Sequence, residues 1–188
     1  EDYCNISGHI VTGESVPEQR PKWASAPGWL CEEYQANYAW YLNVYCHNIN
    51  LLRFLIGKTP EPAYVNLGNR NGQVAILDFG DHVSVLETGD FSYHSWDEVT
   101  EIFFEQGRLR IETPPALLRN VPAQFEIYKS SNGGSIFAPQ SSWSWAFRRQ
   151  AEAFIQSINE GQENVSSGLD SLEDMRLIEK LWKLESKR

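Results

Sequence analysis

An amide and an imidazole stand four residues apart in the segment Asn43-Val44-Tyr45-Cys46-His47, at the polar start of an otherwise apolar helix. Because four residues are just over one helical turn, we expect the side chains of Asn43 and His47 to project from one face. A histidine titrates near neutral pH and can exchange a proton with a substrate hydroxyl. An asparagine can hydrogen-bond a polyol. The spacing alone leaves structural roles open: a histidine satisfied in the core and an asparagine that caps a loop.

Other side chains could also bind ligands, and each has a structural alternative. Trp143, Trp145 and Phe147 could form an aromatic platform for a sugar ring, or they could dock the following helix onto a sheet. Arg148 and Arg149 could bind a carboxylate or phosphate, or they could lie on a solvated helix face.

We predict no metal site. Cys46 and His47 are adjacent, adjacent residues rarely ligate one ion, and the sequence contains no Cys-x-x-Cys or His-x-x-x-His. We expect structural roles for His82 and His94, which lie in strand or turn contexts. The three cysteines are odd in number and irregularly spaced, which is typical of a reducing compartment. We therefore expect a cytoplasmic protein.

The composition excludes several classes of function. A net charge of −9 argues against a nucleic-acid surface, because phosphate binding needs clustered Lys and Arg. No apolar run approaches the roughly 20 residues of a membrane span. The length of 188 residues predicts a single domain over 1–188, with a loop-rich entry at 1–30.

The periodicity of apolar residues predicts an α+β fold. Helical spacing covers Glu32 to Ile56, with a break near Asn43 and a stop at Gly57. From Ala63 to about Thr113 the period becomes that of strands. Tight turns are expected there at Gly80-Asp81 and Gln106-Gly107.

Further elements are predicted before Glu32 and after Thr113. Short strands are expected near His9–Glu14 and Phe125–Ser130. An apolar stripe from Phe147 to Ile158 predicts a helix that ends at Gly161, and Ser167 with Asp170 forms a capping box that opens a final helix. We therefore predict an open, mostly antiparallel β-sheet with helices packed on one face.

The sequence lacks the features of a dinucleotide site. No two glycines are separated by a single residue, so the Gly-x-Gly turn that lets a backbone approach a pyrophosphate is absent. No alternating βαβ pattern is present either. Gly57-Lys58-Thr59 lacks the glycine that a P-loop places five residues earlier. We predict no cofactor-binding residue and no Rossmann unit in this chain.

Three segments together resemble the C-terminal domain of the Gfo/Idh/MocA family of NAD(P)-dependent oxidoreductases. Cys46–Gly57 is similar to the family's His-x-Ile-Asp-Leu-Leu-Arg-Trp-Leu-Leu-Gly helix. Glu101–Ile111 is similar to its Glu-Ile-x-Gly-x-x-Gly strand–turn–strand. The tail from Phe147 to Trp182 resembles its closing helices. The three segments occur in the family's order.

The resemblance implies a domain that binds substrate and forms subunit contacts through its open sheet. It implies an N-terminal Rossmann domain as a partner, with NAD or NADP bound there and none bound by this chain. It also implies hydride transfer at a sugar, sugar-derivative or cyclitol carbon. The family's Glu-Lys-Pro lysine would fall before residue 1, so we expect the isolated chain to be inactive.

The resemblance also suggests site residues. His47 matches the family's histidine and is the candidate general acid/base. Asn43 stands where the family more commonly has aspartate, and it can hydrogen-bond a hydroxyl but cannot carry its proton. Asn50 likewise replaces an aspartate. We assign Asn43, Asn48 and Trp145 as candidate substrate contacts.

Two hypotheses follow. In the first, the chain is the substrate-binding and oligomerisation domain of an NAD(P)-dependent oxidoreductase that acts on a sugar or cyclitol hydroxyl. In the second, it is a non-catalytic carbohydrate-binding or scaffold domain that has lost the family's acidic residue, and the amides at Asn43 and Asn50 favour this slightly.

The absent glycine fingerprint generates a first prediction. The chain alone should show no measurable NAD(H) binding by calorimetry, because it offers no tight turn at which a backbone can meet a pyrophosphate. Micromolar binding would contradict this interpretation.

Overall fold

The computed structural model describes residues 24–92 and 96–188. Its helices and strands follow in this order: α1 (Glu32–Val44), α2 (Cys46–Ile56), β1 (Glu61–Asn66), β2 (Gln73–Asp78), β3 (Val83–Thr88), β4 (Val99–Phe104), β5 (Gly107–Glu112), β6 (Gln124–Lys129), β7 (Ser135–Phe137), α3 (Ala146–Glu160) and α4 (Gly168–Glu185). The strand expected near His9–Glu14, most of the loop-rich entry and His94 lie outside the described residues.

The strands form two antiparallel sheets, which confirms the predicted α+β class. One sheet has the order β1-β2-β3 and the other the order β4-β5-β6-β7. The contacts divide the described chain into two compact units. The first unit contains 24–92 and 165–188, and the second unit contains 96–164. No helix of the described residues is long and apolar enough to cross a membrane.

The core of the first unit lies between α4 and the three-stranded sheet. Val65 of β1 and Ala75 and Leu77 of β2 join Leu177, Ile178, Leu181 and Trp182 of α4 in one buried cluster. Trp182 is 0% exposed. Its indole is surrounded by the rings of Tyr34, Tyr38 and Tyr41, at centroid distances of 5.9, 5.8 and 6.0 Å. Tilted and edge-on ring pairs of this kind fix α1 against α4.

The predicted break between the two N-terminal helices occurs at Tyr45. This residue is buried and packs edge-on against Tyr41, with ring centroids 5.1 Å apart. Gly57 ends α2 in the left-handed conformation, with φ of 75°, as its position after the apolar run predicted. One half of the predicted capping box is present: Ser167 Oγ accepts a hydrogen bond from the Asp170 amide at 3.2 Å, while the Asp170 carboxylate accepts from Asn50 and Arg53.

The Gly80-Asp81 turn is confirmed, because Phe79 N donates to His82 O at 2.9 Å and the two residues between them form the tip. The second turn is one residue earlier than predicted. Phe104 pairs with Gly107, so the turn residues are Glu105 and Gln106.

Gly107 is required in its strand for a different reason. A Cβ at this position would collide with the carbonyl oxygen of Tyr128 on β6. The glycine therefore lets two backbones approach closely and supplies no special turn conformation.

The second unit buries little apolar surface. Ile111 is the only buried hydrophobic side chain among described residues 96–164. The predicted helix over Phe147–Ile158 is present as α3 and ends at Gly161, but its apolar stripe is exposed, with Ile158 at 61%.

A polar cluster attaches α2 to α4 in the first unit. Asn50 Nδ2 donates to Asp170 Oδ2 at 2.9 Å and to Asp174 Oδ2 at 2.8 Å. Arg53 donates through Nη2 to Asp170 Oδ1 at 2.9 Å and through Nη1 to Asp174 Oδ1 at 2.5 Å. Asp174 and Arg53 are largely buried, so each needs the other as a partner.

This cluster explains the amide at position 50. One guanidinium faces two carboxylates, and the Asn50 amide supplies the remaining donors without adding charge. Burial disfavours the charged form of Arg53, but hydrogen bonds to Asp174 and Asp170 outweigh it and raise the pKa of its guanidinium. Asn50 therefore has a structural reason to be present, and it does not count as evidence for a lost activity.

Asn50→Asp should destabilise the protein by about 2–4 kcal/mol, because a third carboxylate would join the pair and two donors would be lost. Asn159→Asp, on an exposed position of α3, is the matched control and should change stability by less than about 0.5 kcal/mol. Chemical denaturation of both variants measures the difference. Equal stability of the two would refute the structural role of Asn50.

Candidate functional site

Asn43 and His47 lie on either side of the break at Tyr45. Asn43 is near the end of α1 and His47 is the second residue of α2. The hydrogen bonds from Tyr45 N to Tyr41 O, at 2.9 Å, and from Ile49 N to Tyr45 O, at 3.1 Å, carry the helical ladder across the break. The two side chains therefore stay about one turn apart on a common side, as the spacing predicted.

Both side chains are exposed, and neither forms a hydrogen bond or ion pair with any part of the chain that the structure describes. The alternative of a core histidine satisfied by backbone groups is thus wrong for His47. A loop-capping role for Asn43 has no support either, because no backbone amide of the described residues donates to its side chain. Both groups are available to a ligand.

Buried neighbours and hydrogen bonds to α4 fix the helix segment that carries Asn43 and His47. Tyr45 points into the core between the two polar residues, and Ile49 is fully buried one turn further along. Asn50 and Arg53 tie the same helix to α4. Apolar packing of Tyr45 and Ile49 and the polar cluster with α4 therefore hold the first turn of α2 in place. The side of this turn that carries His47 is exposed to solvent.

Cys46 does not contribute reactive chemistry. Its side chain is half-buried, and burial followed by the nearby negative charge of Asp174 raises the pKa of the thiol. A neutral thiol is a poor nucleophile and a poor metal ligand. Among the described residues, no three His, Cys, Asp or Glu side chains are grouped as a metal site.

The remaining candidates occupy different places. Asn48 is half-buried beside His47 on α2. Trp145 belongs to the other unit, where it is the residue before α3 and its side chain makes no capping hydrogen bond. The Arg119 guanidinium lies 4.6 Å from its ring centroid, and the Phe147 ring packs against it at 5.6 Å. One face of this indole is therefore already covered.

Arg148 and Arg149 follow their structural alternative, a solvated helix face, whereas Trp143 does not dock α3 onto a sheet. Trp143 is largely exposed, and Arg148 and Arg149 lie on the solvated surface of α3. Arg148 pairs with Glu152 at 2.8 Å. His82 is exposed at the hairpin tip, where its ring stacks on Phe79 and binds Asp81.

One further group lies beside the site and was not among the predicted site residues. Trp40 precedes Asn43 by three residues on α1, and the Arg70 guanidinium lies 3.7 Å from the centroid of its ring. Asp90 binds the same guanidinium at 2.6 Å. Trp40 was detectable from its helical spacing to Asn43 and His47, whereas the loop residue Arg70 carries no local signal.

Comparison with known proteins shows the fold. No family model matches the chain, and no curated protein matches it. Solved structures match with high probability. YvaA from Bacillus subtilis, described as an oxidoreductase, is 15% identical with a TM-score of 0.61, over 77% of this chain and 50% of that chain.

Two further structures are similar to the same extent. KijD10, a 3-ketoreductase from Actinomadura kijaniata in complex with NADP and TDP-benzene, is 16% identical with a TM-score of 0.59, over 76% of this chain and 45% of that one. A protein from Desulfitobacterium hafniense described as an NADPH-dependent oxidoreductase is 16% identical with a TM-score of 0.61, over 84% and 49%.

These matches confirm the fold that the resemblance implied, and at identities of 15–16% they show the fold alone. The chain spans about half the length of the structures that it matches.

Proposed function

We propose that the chain is the substrate-binding and oligomerisation domain of an NAD(P)-dependent oxidoreductase that acts on a hydroxyl of a sugar, sugar derivative or cyclitol. The observation that carries this proposal is the Asn43–His47 pair, whose side chains are exposed on an anchored helix and make no hydrogen bond with residues 24–92 or 96–188. The pair lies on a fold shared with oxidoreductases, one of which was solved with NADP and TDP-benzene.

The described residues do not fit the dinucleotide itself. Every strand pair is antiparallel, and no helix begins with Gly-x-Gly. The proposal therefore places NADP or NAD on an N-terminal Rossmann domain in a longer protein, in line with the half-length coverage of the similar structures. The cofactor would supply or accept the hydride.

His47 has the chemistry that such a reaction needs at the substrate oxygen. When an alcohol and a ketone interconvert, the oxygen must lose or gain a proton, and an imidazole that is exposed and has no partner among the described residues can take or deliver it. Asn43, one turn away, can hydrogen-bond the same or a neighbouring hydroxyl. Asn48, on the same helix as His47, is proposed as a further substrate contact, and the role of Trp145, which belongs to the other unit, stays a prediction from the sequence.

The amide at Asn43 limits what the pair can do. An aspartate there could hold an imidazolium by charge, whereas the asparagine offers only neutral hydrogen bonds. We therefore assign proton transfer to His47 and positioning of the substrate to Asn43. The second hypothesis, a carbohydrate-binding or scaffold domain without catalysis, rests on this substitution alone now that the cluster around Asp174 accounts for Asn50.

The longer protein that carries this chain should show sugar- or cyclitol-dependent conversion of NAD(P)(H), followed by nicotinamide absorbance. His47→Gln should lower kcat by about 10²–10⁴-fold, the range for loss of a general acid/base. Asn43→Ala should raise KM with a smaller effect on kcat.

His82→Gln is the matched control, because His82 is an exposed histidine of the same unit at the β2–β3 tip. Equal kcat for wild type and His47→Gln would contradict the catalytic assignment. Sugar binding without any cofactor conversion would favour the non-catalytic hypothesis.

The four-stranded sheet supports a homo-oligomer. On one face, Glu101, Arg108, Arg110, Glu112 and Glu126 form ion pairs across β4, β5 and β6. Beside Arg108 in register, Phe103 is 73% exposed and Tyr128 and Ile136 are also exposed. A face that carries both charge signs and a stripe of aromatic and aliphatic groups can match a second copy of itself.

We expect the chain to form dimers or larger homo-oligomers at high concentration, as measured by light scattering. Phe103→Ser should shift the population toward monomer, because it removes apolar area from the contact face. Leu169→Ser, at an equally exposed apolar position of α4, is the control and should leave the distribution unchanged. A strictly monomeric chain would count against this interface.

A further inference from the structure

The Arg70 side chain is held in one orientation by two contacts. Its guanidinium stacks on the Trp40 ring at 3.7 Å, and its Nη2 binds the Asp90 carboxylate at 2.6 Å. The Nε atom is buried and has no hydrogen-bond partner among residues 24–92 and 96–188. The Arg70 side chain is nevertheless 37% exposed, so part of this fixed guanidinium faces solvent.

The loop that carries Arg70 is fixed against α1. Asn37 Nδ2 donates to the Gly68 carbonyl at 2.8 Å. The Asp90 amide donates to the Arg70 carbonyl at 3.1 Å, so the segment after β3 holds the loop from its other side. Arg70 is thus a rigid group of the first unit, although it lies between two strands.

Its position relates it to the candidate site. Trp40 precedes Asn43 by three residues and His47 by seven, a spacing that puts all three on one helix face. At 1.5 Å per residue, the Trp40 position lies about 10 Å along the helix axis from His47. A ligand that reaches both ends must extend beyond the reacting hydroxyl by about one ring or linking group.

The chemistry of the guanidinium selects the class of ligand. An arginine presents five N–H donors in a planar fork, and Asp90 occupies only one edge of it. Stacking on an indole strips water from one face and so strengthens the attraction for an anion at the remaining donors. Carboxylate and phosphate oxygens are the acceptors that match this fork.

We infer that Arg70, oriented by Trp40 and Asp90, is a specificity-determining residue that binds a carboxylate or phosphate on the substrate whose hydroxyl meets Asn43 and His47. The inference rests on the proposed function and narrows it to acidic sugars, that is, sugars with a carboxylate or a phosphoryl group. The net charge of −9 repels an anionic ligand overall, and the Arg70 guanidinium would attract the anion locally.

Titration of the 188-residue chain with glucuronate, glucose 6-phosphate and glucose tests this inference. Calorimetry gives the affinities, and the indole N–H resonance of Trp40 in ¹H–¹⁵N spectra reports the site. At least one of the two anionic sugars should bind about tenfold or more tightly than glucose, and it should shift the Trp40 resonance.

Three variants locate the effect. Arg70→Gln should make the affinities for the anionic sugar and for glucose about equal, and it should leave the affinity for glucose unchanged. Arg70→Lys keeps the charge but not the fork, and it should retain part of the preference. Arg176→Gln removes an equally charged, exposed arginine of α4 and should leave the preference intact.

The outcomes separate the two proposals. An anionic preference that survives Arg70→Gln, or no preference in the wild type, overturns the role of Arg70. Glucose binding that Asn43→Ala and His47→Ala weaken would still support the proposed site in that case. Binding of all three sugars that is insensitive to both alanine variants would instead refute the proposed site. A preference for glucuronate alone identifies a carboxylate, and a preference for glucose 6-phosphate alone identifies a phosphate.

Discussion

The contact between α2 and α4 constrains the rest of the first unit. Arg53 and Asp174 are both largely buried, and they lie more than a hundred residues apart in the chain. Because an unpaired buried charge costs several kcal/mol, the two helices must dock in one register. That register presses Trp182 into the tyrosine rings of α1, sets Ile49 in the core and leaves the first turn of α2 facing outward. The geometry of the Asn43–His47 pair is a consequence of this docking.

The two units depend on burial to very different degrees. The first has a continuous core between α4 and its sheet. The second, described over 96–164, buries Ile111 alone among its hydrophobic side chains and exposes large apolar groups on its sheet and on α3. Apolar surface of this extent is typical of a segment that is covered by another molecule or domain. The half-length coverage of the similar structures and the proposed oligomer are both consistent with such covering.

The candidate site combines exposed polar groups with anchored surroundings. In the proposed site His47 transfers a proton and Asn43 positions a hydroxyl, and the stacked pair of Trp40 and Arg70 lies further along the same helix face. The surrounding structure places these residues: the buried Tyr45 lies beneath the Asn43–His47 pair, Trp40 packs against the core, and Asn37 ties the Arg70 loop to α1. Exposed polar groups on an anchored scaffold are the usual arrangement of a binding site.

The sequence alone determined the features that depend on neighbouring residues. Gly57 and Gly161 end their helices because they adopt positive φ, Ser167 caps α4 through an amide three residues away, and Gly80-Asp81 closes a hairpin between adjacent strands. The side-chain alternation of β5 was likewise readable from its own residues. Tertiary structure decided everything that joins distant segments. Gly107 is needed because β6 passes close by, Asn50 must be an amide because two carboxylates of α4 face it, and Arg70 meets Trp40 only because a loop folds back on α1. No local sequence pattern predicts such contacts, because in each case the partner is distant in sequence and is brought close only by the fold.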